Sequence, residues 1–145
     1  MAVNAGFTSA AIFFATVLSA SAGDVSVVVG GIVPNGTIVH VALCAGALEP
    51  GACLIGDSQP AQSPRMKFVL HDVSPARYAV AAFQDLDGDG AMGRSKLGLP
   101  LEPFAFSNDA GRVRKPTFEA AEISVGPAGR EFELYLRSIK AGHAQ

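Results

Sequence analysis

The chain contains no tryptophan and only two cysteines, and no charged side chain precedes Asp24. Each shortage excludes something. Two cysteines, Cys44 and Cys53, allow at most one disulfide and no disulfide-dense scaffold. Basic residues are few, with 11 Lys and Arg against 13 Asp and Glu, so there is no basic face for nucleic acid. Beyond the N-terminal segment, no apolar run approaches membrane-spanning length. Also absent are a G-x-S-x-G elbow, an H-E-x-x-H pair and a phosphate-binding glycine loop, so no catalytic constellation is visible. The expectation is a non-enzyme.

What is present is ample apolar material for one domain: 145 residues, 49% hydrophobic, with nine phenylalanines. The uncharged start contains "AAIFFATVLSASAG", an apolar centre followed by small residues. Ala20-Ser21-Ala22 fits the A-x-A pattern of signal peptidase. A cleaved signal peptide over 1–22 is therefore expected, leaving one domain over 23–140 and a frayed tail over 141–145. The start lacks the usual Lys or Arg, and an uncleaved anchor is the competing reading. The absence of a cysteine at the cleavage site argues against a lipoprotein. Export makes the mature protein periplasmic or secreted, without a transmembrane span. An oxidising compartment suits a Cys44–Cys53 disulfide across a Gly- and Pro-containing loop. A thiol pair and half of a metal site are the alternatives, though the nearest histidine, His40, is alone.

Periodicity points to an all-β fold. Apolar residues alternate with a period of two over 24–33, 37–44, 65–73, 76–85, 119–126 and 130–139. The first two segments flank Pro34-Asn35-Gly36 and read as a hairpin. Residues 45–64 read as a long loop. About seven strands between turn signals make an immunoglobulin-like β-sandwich the expected class, with a barrel as the alternative.

The chemistry gathers in "FQDLDGDGAMGRSKLGLP", residues 83–100. Asp85, Asp87 and Asp89 alternate and Gly90 follows, matching the first half of a calcium loop. The backbone carbonyl of Ala91 would be a further ligand. The second half departs from that pattern: Gly93 has no side chain, and Lys96 stands where a bidentate Glu belongs. Glu102 would replace it if the chain folds back. The rival reading is an Asp/Gly turn whose charge Arg94 and Lys96 neutralise. Calcium at 85–93 is the only candidate cofactor.

Other candidates are weaker. His71-Asp72 lies in a strand, where neighbouring side chains point to opposite faces, so it reads as a surface pair. Ser107 to Gly111 is turn chemistry. Leu99, Phe104 and Phe106, with the basic run Arg112, Arg114 and Lys115, form a candidate surface for a ligand or an anionic partner. The main expectation for Leu97, Leu99, Leu101, Phe104 and Phe106 is that they plug one end of the fold, with the ligand or partner surface as the alternative.

Four linked motifs carry a resemblance. They are Asp85-x-Asp87-x-Asp89-Gly90, then Gly98-x-Pro100-x-Glu102, then Phe106-Ser107-Asn108, then Pro116-x-Phe118 with Ala121. In this order they resemble the bacterial exported family called domain of unknown function 2141. Gln84, Gly93, Ala76 and Ala105 depart from the family's usual residues. The resemblance implies an exported prealbumin-like β-sandwich and no assigned activity or ligand. Three roles remain open: a binding or accessory module with a small ligand, a structural envelope component, and a hydrolase-type enzyme.

Overall fold

The computed structural model describes residues 11–17 and 21–139. The expected leader therefore lies partly outside the described residues, and the expected 141–145 tail lies wholly outside them. Residues 11–17 carry no regular secondary structure and are exposed.

Among the described residues, eight strands form two sheets. They are β1 (Gly23–Gly30), β2 (Ile38–Cys44), β3 (Ile55–Pro60), β4 (Met66–Val73), β5 (Ala76–Asp85), β6 (Phe104–Phe106), β7 (Glu122–Val125) and β8 (Arg130–Tyr135). One helical turn, α1 (Phe118–Ala121), precedes β7. The first sheet has the order β4-β1-β8, with β1 and β8 parallel. The second has the order β3-β2-β5-β6, and β7 continues along the β5 edge that β6 occupies.

Alternation decides what each sheet buries. Val25, Val27 and Val29 of β1 and Phe68 and Leu70 of β4 meet Val39, Val41 and Leu43 of β2 and Val80 of β5 in one buried cluster. Two sheets joined by such a core are consistent with a β-sandwich. Among the described residues, no helix is long and apolar enough to cross a membrane.

Four expectations change. The segments around Pro34-Asn35-Gly36 do not form a hairpin, because β1 belongs to one sheet and β2 to the other. Both edges of β1 are taken by β4 and β8, so the chain arches across. Gly31 opens the arch at φ +71°, where an added Cβ would meet the Leu136 carbonyl at 2.7 Å. Gln84, fully buried, holds the arch: its Oε1 accepts from the Val33 amide, and its Nε2 donates to the Val33 carbonyl, Asn35 Oδ1 and Thr37 Oγ1.

The second change is that the expected loop over 45–64 contains β3. This edge strand is polar and ends at Pro60, which an edge position tolerates. Third, Phe104–Phe106 is a strand, too short to show a period. Fourth, the expected strand over 119–126 starts as helix, because the Thr117 hydroxyl caps α1 by accepting from the Ala120 amide.

Candidate functional site

The two faces of the second sheet are covered differently. The inner face meets the first sheet. Part of the outer face is covered by the 86–121 excursion, through a second cluster containing Cys44, Ala79, Phe104, Phe106, Ala110 and Ala121. Phe104 and Phe106 are only 6% and 3% exposed, so they plug the fold and do not form the alternative exposed apolar surface. Leu99 is half-buried, while Leu97 and Leu101 are exposed. Arg112, Arg114 and Lys115 are exposed, and Arg112 pairs with Asp109 at 3.0 Å.

The Phe106-Ser107-Asn108 motif anchors the excursion to the sheet. The buried Ser107 hydroxyl accepts from the Val80 amide at 2.9 Å and donates to the Ala121 carbonyl. Asn108 has φ +57°, and its amide donates to the carbonyls of Ala120 and Glu122. These bonds join β5, β6 and the α1–β7 segment. The disulfide between Cys44 and Cys53 forms, closing the neighbouring loop onto the end of β2.

The aspartate loop begins where β5 ends. Glu102 does fold back. Residues 93–101 double over, with the Leu101 amide donating to the Gly93 carbonyl and the Ser95 amide to the Leu99 carbonyl, both at 2.8 Å. Glu102 then lies beside the aspartates, only 6% exposed. Asp85, Asp87, Asp89 and Glu102 each offer one carboxylate oxygen, and these four atoms lie within 4.8 Å of one another. Asp85 and Glu102 are buried, while Asp87 and Asp89 face solvent.

Backbone amides hold the cluster. Asp85 accepts from Gly88 and Gly90, both at 2.8 Å. Glu102 Oε1 accepts from Leu86 at 2.8 Å, and its Oε2 accepts from Gly93 at 3.4 Å. Asp87 accepts from the Asp89 amide, and Asp89 from the Ala91 amide. Gly88 and Gly90 sit at φ +74° and +77°, which lets their amides turn inward. Burial alone would raise the Asp85 pKa. The Gly90 amide, the hydrogen bond shared with Asp87, the Gly88 amide and His40 outweigh it and hold Asp85 below its ordinary value. Asp87 moves the other way: the Asp89 amide lowers it, but desolvation and the Asp85 and Asp89 carboxylates push it above its ordinary value.

Arg94 and Lys96 do not neutralise this cluster by contact. Among the described residues, neither forms an ion pair with the four carboxylates, and Arg94 instead donates to the Gly98 carbonyl at 3.1 Å.

Sequence reasoning missed the neighbourhood of His40. In the strand register Ser58 lies opposite His40, and His40 opposite Phe83. His40 Nδ1 is 2.7 Å from Ser58 Oγ, its ring stacks on Phe83, and its Nε2 is 3.6 Å from Asp85 Oδ2. The order serine, histidine, carboxylate resembles a nucleophilic row. However, the Ser58 amide, a natural oxyanion donor, is already bonded to Asp57 Oδ1. Gln84 was also missed. Its signal was a polar residue on the inner phase of Tyr78, Val80 and Ala82, which burial obliges to find partners. His71 bonds to Asp24 at 3.1 Å, on the exposed surface of the first sheet.

The fold and site define an all-β, two-sheet protein whose outer loop gathers four carboxylates. Residues 27–133 match the family model described as "Uncharacterized protein conserved in bacteria (DUF2141)", and the chain belongs to that family. No curated protein and no solved structure matches.

Proposed function

We propose that the chain is an exported β-sandwich protein, periplasmic or secreted, that acts as a binding or accessory module and holds a calcium ion in its 85–93 loop. The immunoglobulin-like or prealbumin-like type is part of this reading, supported by two sheets that share one core and by the parallel pairing of the first and last strands. Export draws on the uncharged leader and on the disulfide, which suits an oxidising compartment.

One observation carries the cation reading. Four carboxylate oxygens converge within 4.8 Å, without a paired Lys or Arg among the described residues. At such spacing their mutual repulsion is relieved by a cation. All four donors are hard oxygens, which suits calcium better than a thiophilic metal. Glu102 takes the place of the glutamate missing at Lys96. The Ala91 backbone, already drawn to Asp89 by its amide, is the remaining candidate ligand.

The rival is a structural envelope protein without a small ligand. It draws on the amides of Leu86, Asp87, Gly88, Gly90 and Gly93, which already bond Asp85 and Glu102. Calorimetric titration of calcium into metal-stripped protein separates the two. One saturable site per chain, lost in Asp87→Asn, is the expected result. No binding heat and no saturation would favour the structural role.

A further inference from the structure

An open groove of about 590 Å³ lies on the outer face of β3, β2 and β5, beside the aspartate loop. Register makes its floor. Gly56 pairs with Ala42, and Ala42 with Ala81, so three small residues form one row across three strands. They face outward because Val41, Leu43, Val80 and Ala82 take the core-facing phase. The next row, Ser58, His40 and Phe83, is taller and bounds the floor on one side.

Two loops make the walls. The disulfide-closed segment contributes Leu48, and Leu54 follows directly after Cys53 and is 82% exposed. The far end of the aspartate loop contributes Met92 and Arg94. The volume falls within the range of small-molecule sites, and the mix of apolar walls with few polar groups is typical of them.

Charge indicates what fits. Arg94 and Asp57 are the lining residues with a formal charge, beside His40. Asp57 keeps its negative charge, but both of its oxygens are turned to neighbours, accepting from the Ser58 amide and from Gln59 Nε2, both at 2.8 Å. Arg94 gives one donor to the Gly98 carbonyl and has no carboxylate partner among the described residues. A guanidinium has five donors and takes a carboxylate in bidentate fashion.

We propose that this groove binds a small anionic amphiphile, its apolar body on the Gly56–Ala42–Ala81 floor and its carboxylate on Arg94. The floor is built from strand register alone, whereas one wall, which includes Ala91, Met92 and Arg94, is the far end of the aspartate loop.

The test is a titration of the full chain with dodecanoate, below its micelle-forming concentration, followed by amide NMR, with dodecanol as the neutral control. Saturable shifts confined to Ala42, Gly56, Ala81 and Met92 and their neighbours are expected. Arg94→Gln should weaken dodecanoate about tenfold, or about 1.4 kcal/mol, and leave dodecanol unchanged. Leu54→Asp changes an exposed side chain, so the fold should survive, and it should weaken both ligands. Shifts elsewhere, no saturation, or dodecanoate binding by Arg94→Gln equal to wild type would overturn the proposal.

Discussion

On its inner face, the β3-β2-β5-β6 sheet meets another sheet. On its outer face it meets irregular chain: the 86–121 excursion, the disulfide-closed loop and an open groove. The inner contact is made of residues that alternate with a period of two and bond through strand ladders. The outer contact depends on single side chains that satisfy particular backbone groups, namely Ser107, Asn108, Asp85 and Glu102. A sheet face buried by another sheet needs only apolar residues in phase. A face buried by loops must also satisfy the loops' amides and carbonyls, because buried backbone polar groups left unpaired are costly. Polar family motifs therefore accumulate on the outer side, where each residue has a backbone partner.

Truncating one phenylalanine on each side probes this difference most strongly. Phe68 is fully buried in the inner core, and Phe68→Ala should cost about 3–5 kcal/mol. Phe106→Ala, in the outer layer, should fall at or below the low end of that range, roughly 3 kcal/mol, because loops relax into a cavity more readily than paired sheets do. Denaturant unfolding of both variants checks this, and a larger loss for Phe106→Ala would reverse the ranking of the two layers.

The disulfide comes next. Cys44 and Cys53 are nine positions apart, so replacing both with alanine should cost roughly 2–3 kcal/mol in the chain-entropy model. The loss should appear in the outer layer first, as faster amide exchange over 45–54 than in β1 or β4.

A smaller effect follows from pH. Asp85 is held below its ordinary pKa by Gly90, Gly88 and their neighbours against the opposing pull of burial. A carboxyl lowered on folding adds stability that is fully present above its unfolded value of about 3.9 and is lost as pH falls through the folded value. In calcium-free buffer, the stability gap between wild type and Asp85→Asn should be constant above about pH 5 and shrink below pH 4. A gap that widens on acidification would mean the shift has the other sign.

The same contrast explains what could be read in advance. Val25, Val27 and Val29 of β1, Val39 and Val41 of β2, Phe68 and Leu70 of β4, Leu134 of β8 and Leu136 just after it all announce their inward phase, and each is buried. Register and sheet membership were not legible. Pro34-Asn35-Gly36 looks the same in a hairpin as in an arch, and Gln84 makes the arch from far along the chain. β3 was hidden because an edge strand can be polar, and β6 because three residues show no period. In the candidate site, Asp85, Asp87, Asp89 and a returning Glu102 were legible from motif spacing. His40, Ser58 and the small-residue floor were not, since only cross-strand pairing brings them beside the loop.

Thermal unfolding of metal-stripped protein, with and without calcium, tests most directly whether the outer loop is a binding site. Calcium at a hundred times its dissociation constant should stabilise the fold by about 2.7 kcal/mol and raise the midpoint accordingly. Asp87→Asn should show no such rise. An unmoved wild-type midpoint, or an equal rise in the variant, would show that the four carboxylates serve the fold without a cation.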